Sequence, residues 1–325
     1  MARNEADFHY RRPKADADHE RRALLTGFGI AAIVTFALVS GVLSVVHANS
    51  EHADAPGTAV AAQAQTATQE SQGTQPESSA PAPAPEVMAE VDPASLAWRD
   101  ADFAVDPNRT DWNYTTNGKK TVYLTIDDGP SEKTQQVLDI LDRYGCKATF
   151  FVVGHNEDYF PMIAEAYRRG HTIGMHTYSH DYAEVYASTD AYFADLDAIA
   201  AVVKEQIGYV PCFIRFPGGS SNDISASYCE GIMTALVGEV QERGYQYWDW
   251  NLSVGDGSEH TTEEIIGYGT EPVDDENIVL LCHDSATKQT TVDALPAIIE
   301  HYQSLGYTFE ALDRSTWACH HGVNN

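Results

Sequence analysis

Positive charge is scarce in this chain: 20 lysines and arginines stand against 48 aspartates and glutamates, for a net charge of −28. A protein that grips a phosphate backbone needs a basic face, so nucleic acid is excluded as a partner. The carboxylate surplus needs no role beyond solubility. The five cysteines (Cys146, Cys212, Cys229, Cys282, Cys319) contain no Cys-x-x-Cys pair and no zinc-finger spacing. Their odd number leaves at least one unpaired within a single chain, and no pairing can be deduced. A His-Glu-x-x-His motif is also missing, which excludes that class of metalloprotease.

Long apolar runs are confined to 23–46, where 24 residues carry no charge. At about 1.5 Å per residue such a helix spans a hydrocarbon core of about 30 Å. Arg3, Arg11, Arg12, Lys14, Arg21 and Arg22 precede it, and no Lys or Arg follows until Arg99. This asymmetry predicts a single-pass cell-membrane anchor, with residues 1–22 as a cytoplasmic tail and the rest extracytoplasmic. The alternative is secretion after cleavage near Ala48. A signal peptide's apolar core is only about 7–15 residues long, so the anchor is the expectation. Residues 47–93 are rich in Ala, Gln, Thr, Ser, Pro and Glu. They cannot bury enough surface to offset chain entropy and read as a disordered tether. The run Pro81-Ala82-Pro83-Ala84-Pro85 is its stiff, extended part.

From 94 to 318 strands and helices alternate, with 319–325 as a tail. Strands are expected at 121–127, 148–153, 172–175, 213–216, 245–250, 277–281 and 307–312. Helices are expected after a Ser131 cap, then at 159–169, 190–206, 225–243, 263–268 and 291–304. About seven βα units imply parallel strands with helical crossovers, an α/β fold. The expectation is an irregular (β/α)7-type barrel, closed or nearly closed, rather than an open doubly wound sheet.

In such a barrel the strand C-terminal ends share one rim, and the chemically suggestive segments lie at those ends. Thr121–Asp127 runs into Asp127-Asp128-Gly129-Pro130, where two adjacent carboxylates are costly unless a cation or a proton separates them. Asp-Asp-Gly-Pro is equally good turn chemistry. His176-Thr177-Tyr178-Ser179-His180 spaces two imidazoles so that both reach one metal. With a carboxylate from the first strand they form the open facial set that hydrolytic metal chemistry needs. Arg215-Phe216-Pro217-Gly218-Gly219 offers an arginine to pair with a carboxylate across the cleft. Its glycines let backbone N–H groups approach a developing oxyanion. Trp248-Asp249-Trp250 followed by Asp256 mixes aromatic and acidic groups, which suits a sugar platform or ordinary packing. Cys282-His283-Asp284 closes the set with a histidine that, alone, reads as structural.

Taken together, these motifs from Lys119 to Leu312 resemble the NodB-homology polysaccharide deacetylases, carbohydrate esterase family four, in the family's order. The form seen here looks most like membrane-anchored bacterial peptidoglycan deacetylases. The resemblance implies Asp127 as general base, with Asp128, His176 and His180 as metal ligands. It implies Arg215 as partner of the base, His283 as general acid and Asp256 as the charge that orients the pair, with Asp249 as the rival for that last role. The Gly218 N–H would serve the oxyanion and Leu281 the acetyl pocket, while Trp250 is the aromatic candidate for substrate contact. The sequence departs from the pattern at Gly218, where an aromatic residue commonly stands, so an aromatic wall of the sugar groove is expected to be lost. The implied cofactor is a divalent metal, zinc first, with cobalt, nickel or manganese as substitutes. The implied partners are a cell-wall polysaccharide and, through the N-terminal helix, the membrane, with no protein partner. The expected reaction is removal of N-acetyl groups from peptidoglycan amino sugars. The alternatives are an O-acetyl esterase on xylan or another glycan and a catalytically silent wall-binding module.

Overall fold

The computed structural model describes residues 102–325. The anchor, the tether and the expected domain start at 94 lie outside the described residues. Among those described, no helix is long and apolar enough to cross a membrane.

The centre is β1 (Thr121–Asp127), buried along its whole length. Its near-continuous Val, Tyr, Leu and Ile content suits a parallel strand covered on both faces. Further strands are β2 (Ala148–Val153), β3 (Thr172–Thr177), β4 (Phe213–Ile214), β5 (Gln246–Tyr247), β6 (Leu252–Ser253), β7 (Asn277–His283) and β8 (Thr308–Phe309). The helices are α1 (Thr134–Tyr144), α2 (Pro161–Arg168), α3 (Tyr182–Val185), α4 (Thr189–Ile207), α5 (Ile232–Glu242), α6 (Thr262–Gly269) and α7 (Gln289–Ser304). All strand pairs are parallel, in the order β5-β4-β3-β2-β1-β7-β6. β8 pairs with Thr121 and Val122 of β1, ahead of the segment that β2 occupies.

The two ends of this path, β5 and β6, are consecutive in the chain. A flat run of seven strands would separate them by about 29 Å, at about 4.8 Å per strand. The five steps from Tyr247 to Leu252 reach at most about 18 Å. The sheet must therefore curl through at least a half-barrel. Trp248 still donates to Ile214 on the β4 side (3.1 Å), and Asn251 already donates to Val279 on the β7 side (3.2 Å). Between them the seam is covered by the C-terminal segment. Asp249 N–H donates to the Cys319 carbonyl (2.8 Å), and the Trp248 indole donates to the Trp317 carbonyl (3.1 Å).

Several expectations shift. Closure depends on β6, which is too short for periodicity to reveal, and the strand expected at 307–312 shrinks to two residues paired below β2. Ser131 does not cap α1: Lys133 takes that position, and Ser131 Oγ accepts from Lys133 N–H in the preceding turn. The helix expected at 225–243 is broken by Gly231 (φ 80°) into a short 3₁₀ turn and α5. Within the expected tail 319–325, Cys319 and His321 are buried and residues 322–324 are exposed. All five cysteines are free thiols.

Candidate active site

The β1–β7 register sets Asp127 beside His283 at the strand ends. Asp127 is 2% exposed, and its Oδ1 accepts from the Arg215 guanidinium at 2.9 Å. Arg215 is fully buried and held from every side. It donates to the Thr125 hydroxyl (2.8 Å) and to the Trp248 (2.8 Å) and Asp249 (3.0 Å) carbonyls, and it lies over the Phe151 ring at 4.4 Å. Burial pushes the Asp127 carboxyl up to about 6, with the charges of Arg215 and His283 holding it from going higher.

Across the cleft, His283 Nδ1 lies 2.8 Å from Asp256 Oδ1, and Asp256 Oδ2 accepts from His283 N–H (2.9 Å) and the Thr291 hydroxyl (2.7 Å). Burial opposes a charged ring there. The charge and hydrogen bond of Asp256, joined by Asp128 and Asp127, outweigh it and push His283 up to about 9. Asp249 is elsewhere: its carboxylate accepts from Ser220 N–H (2.8 Å) and His321 N–H (2.8 Å). Of the two aspartates weighed for the fourth motif, Asp256 is therefore the one that touches His283.

Asp128, His176 and His180 converge on one point. His180 Nε2 lies 3.4 Å and His176 Nε2 3.8 Å from Asp128 Oδ1, an oxygen with no hydrogen-bond partner among the described residues. Ligand bonds to zinc are about 2.0–2.2 Å, so donors on one ion stand about 3–3.5 Å apart. An orphaned carboxylate oxygen facing two imidazole nitrogens fits a divalent cation. His176 Nδ1–H donates to the Arg215 carbonyl (2.6 Å), which leaves Nε2 as the lone pair turned inward. Burial, partly offset by Asp128, drops His176 to about 4, so its ring is neutral and able to ligate. Asp128 (φ 69°) and His180 (φ 50°) both take the left-handed backbone region that non-glycine residues avoid. Such strain is typical of positions where a side chain must be aimed.

Gly218 (φ 72°) and Gly219 (φ 76°) turn the chain above Arg215. Trp250 is not an open platform: it is 7% exposed, packs against His321 and fills the space beside Gly219. Leu281 is buried near the end of β7. Sequence reasoning missed Asp195 of α4, whose carboxylate accepts from the Tyr178 (2.5 Å) and Ser179 (3.0 Å) N–H groups. One aspartate among the many acids of an acidic chain carries no signal.

Residues 114–231 match the polysaccharide deacetylase family model. A peptidoglycan-N-acetylglucosamine deacetylase of Bacillus cereus is 31% identical over 208 residues, 60% of this chain and 71% of the relative. The chain belongs to the polysaccharide deacetylase family. Among solved structures of polysaccharide deacetylases, the catalytic domain of a peptidoglycan N-acetylglucosamine deacetylase from Eubacterium rectale is 45% identical, with a TM-score of 0.64, covering 68% of this chain and all of that domain. A carbohydrate esterase family four enzyme from Streptococcus mutans is 27% identical, with a TM-score of 0.54, covering 65% of this chain and 96% of its own. This polysaccharide deacetylase carries its cleft on a curled sheet of parallel strands.

Proposed function

We propose that this polysaccharide deacetylase is a metal-dependent hydrolase that removes the N-acetyl group from N-acetylglucosamine of peptidoglycan, releasing acetate. The observation that carries the reading is the division of labour between adjacent carboxylates. Asp127 is tied to Arg215 and faces His283, whereas Asp128 turns an unsatisfied oxygen to two imidazoles. The names of the bacterial relatives support the substrate.

Asp128, His176 and His180 would hold a divalent ion, which when bound would supply Lewis-acid polarisation of the N-acetyl carbonyl and a more acidic attacking water. Asp127 takes the proton from that water. Arg215 keeps the base ionised and fixes its direction. The Gly218 N–H faces the oxygen on which negative charge develops, and such donors are worth roughly 3–4 kcal/mol. His283, kept protonated by Asp256, gives its proton to the departing amine. Leu281 walls the acetyl methyl. Attack adds water across the carbonyl, the C–N bond breaks, and the products are acetate and the free amino sugar. The uncharged stretch 23–46 supports a membrane tether that keeps the domain within reach of the wall.

The test is acetate release from purified peptidoglycan, chitooligosaccharides and acetylated xylan, each with and without a chelator. Chelator-sensitive release from peptidoglycan is the expected result. Release from xylan alone would move the reaction to esters, and release insensitive to metal removal would overturn the ion's role.

A further inference from the structure

The space above Gly218 is not empty. A Cβ built on Gly218 would lie 2.6 Å from the Tyr182 hydroxyl oxygen, closer than any side chain tolerates. Tyr182 comes from another element, the first turn of α3, directly after the His176–His180 loop. Its placement is built from several sides. Asp181 caps α3 by accepting from the Ala183 and Glu184 N–H groups. The Tyr182 ring stands edge-on to Tyr186 at 5.4 Å, and the buried Tyr186 hydroxyl donates to the Pro217 carbonyl at 2.8 Å. Asn222 Nδ2 donates to the Gly219 carbonyl at 2.8 Å and fixes the facing loop. On its other side Tyr182 is edge-on to His180, with centroids 6.0 Å apart.

Tyr182 thus bridges the proposed metal ligand His180 and the turn whose N–H faces the oxyanion. It is only partly buried. We propose that Tyr182 is the specificity-determining side chain of this site. Gly218 gives up its own side chain, and a tyrosine from α3 supplies the ring edge and hydroxyl that meet the sugar next to the reacting N-acetyl group. An aromatic edge packs on the apolar face of a pyranose, and a phenol exchanges hydrogen bonds with its hydroxyls. The wall expected to be lost at Gly218 is thereby rebuilt from a different segment.

The inference rests on the deacetylase reading, and the experiment separates the two. Steady-state acetate release from chitopentaose is compared for the wild type, Tyr182→Ala, Tyr182→Phe, Gly218→Ala and the Tyr182→Ala/Gly218→Ala pair, with bound metal measured in each. Tyr182→Ala is expected to raise KM about tenfold with a much smaller change in kcat. Tyr182→Phe is expected to recover part of that loss, assigning the remainder to the hydroxyl. Gly218→Ala should cost more activity in the wild type than in the Tyr182→Ala background, because the two groups compete for one space. A merely structural Tyr182 would lower kcat, metal content and thermal stability together and leave KM in place, which would overturn the proposal. An active wild type with additive Gly218 and Tyr182 losses and unchanged KM refutes the role of Tyr182 alone. A wild type inactive on every glycan refutes the deacetylase reading and this inference with it.

Discussion

At the scale of single residues, two carboxylates one position apart are driven to opposite protonation behaviour. Burial lifts Asp127 to about 6, while three imidazoles and Lys288 outweigh burial at Asp128 and hold it low. The base must be ionised and the acid protonated, so the rate is expected to climb as pH rises through about 6 and to fall as it passes about 9. Asp127→Asn should bind metal as the wild type does and lose about 10²–10⁴-fold in kcat, read by metal analysis beside acetate release. Asp256→Asn removes the charge that raises His283 and should move the alkaline limb from about 9 toward neutrality while leaving the acid limb near its place. A pH–rate profile of that variant decides the matter, and an unmoved alkaline limb would contradict the assignment of His283 as the acid.

At the scale of elements, the metal ligands depend on a helix that contributes none of them. Asp195 on α4 accepts two backbone N–H groups of the loop between His176 and His180. Asp195→Ala should leave those donors unsatisfied, let His180 leave its strained φ of 50°, and weaken metal affinity about 10–100-fold. A chelator competition titration measures this. What the sequence discloses follows the same division. The long buried strands β1, β2 and β7, and the motifs at the ends of β1 and β7, are legible because apolar runs and turn residues carry strong local signals. The two-residue strands β4, β5, β6 and β8 are blurred or missed, since their pairing is dictated by the curl of the sheet and not by their own composition. The preference for Asp256 over Asp249, which rests in the sequence on the resemblance alone, agrees with the contact Asp256 makes with His283. The refilling of the Gly218 space by Tyr182 joins residues 36 positions apart through packing, which no linear pattern encodes.

At the scale of the whole molecule, the barrel is a sheet whose edges are held together by a late segment. Asp249, fully buried, accepts from Ser220 and His321, and its own carbonyl accepts from Arg215, which in turn holds Asp127. Deleting residues 317–325 should therefore lower thermal stability and also depress kcat, although every proposed catalytic and metal-binding residue remains. A melting curve paired with acetate release tests it, and full activity in a folded truncated protein would show that the seam and the base are independent. The buried groups left without partners at Asp249 would each cost about 1–3 kcal/mol. Since His321 lies 72 residues beyond Asp249, the clasp leaves the ribosome after the whole catalytic constellation has already emerged. A nascent chain can thus carry all its chemistry while the vessel that aligns it stands unsealed, and a stop codon just ahead of the clasp would disturb the site although every residue of the constellation had been made.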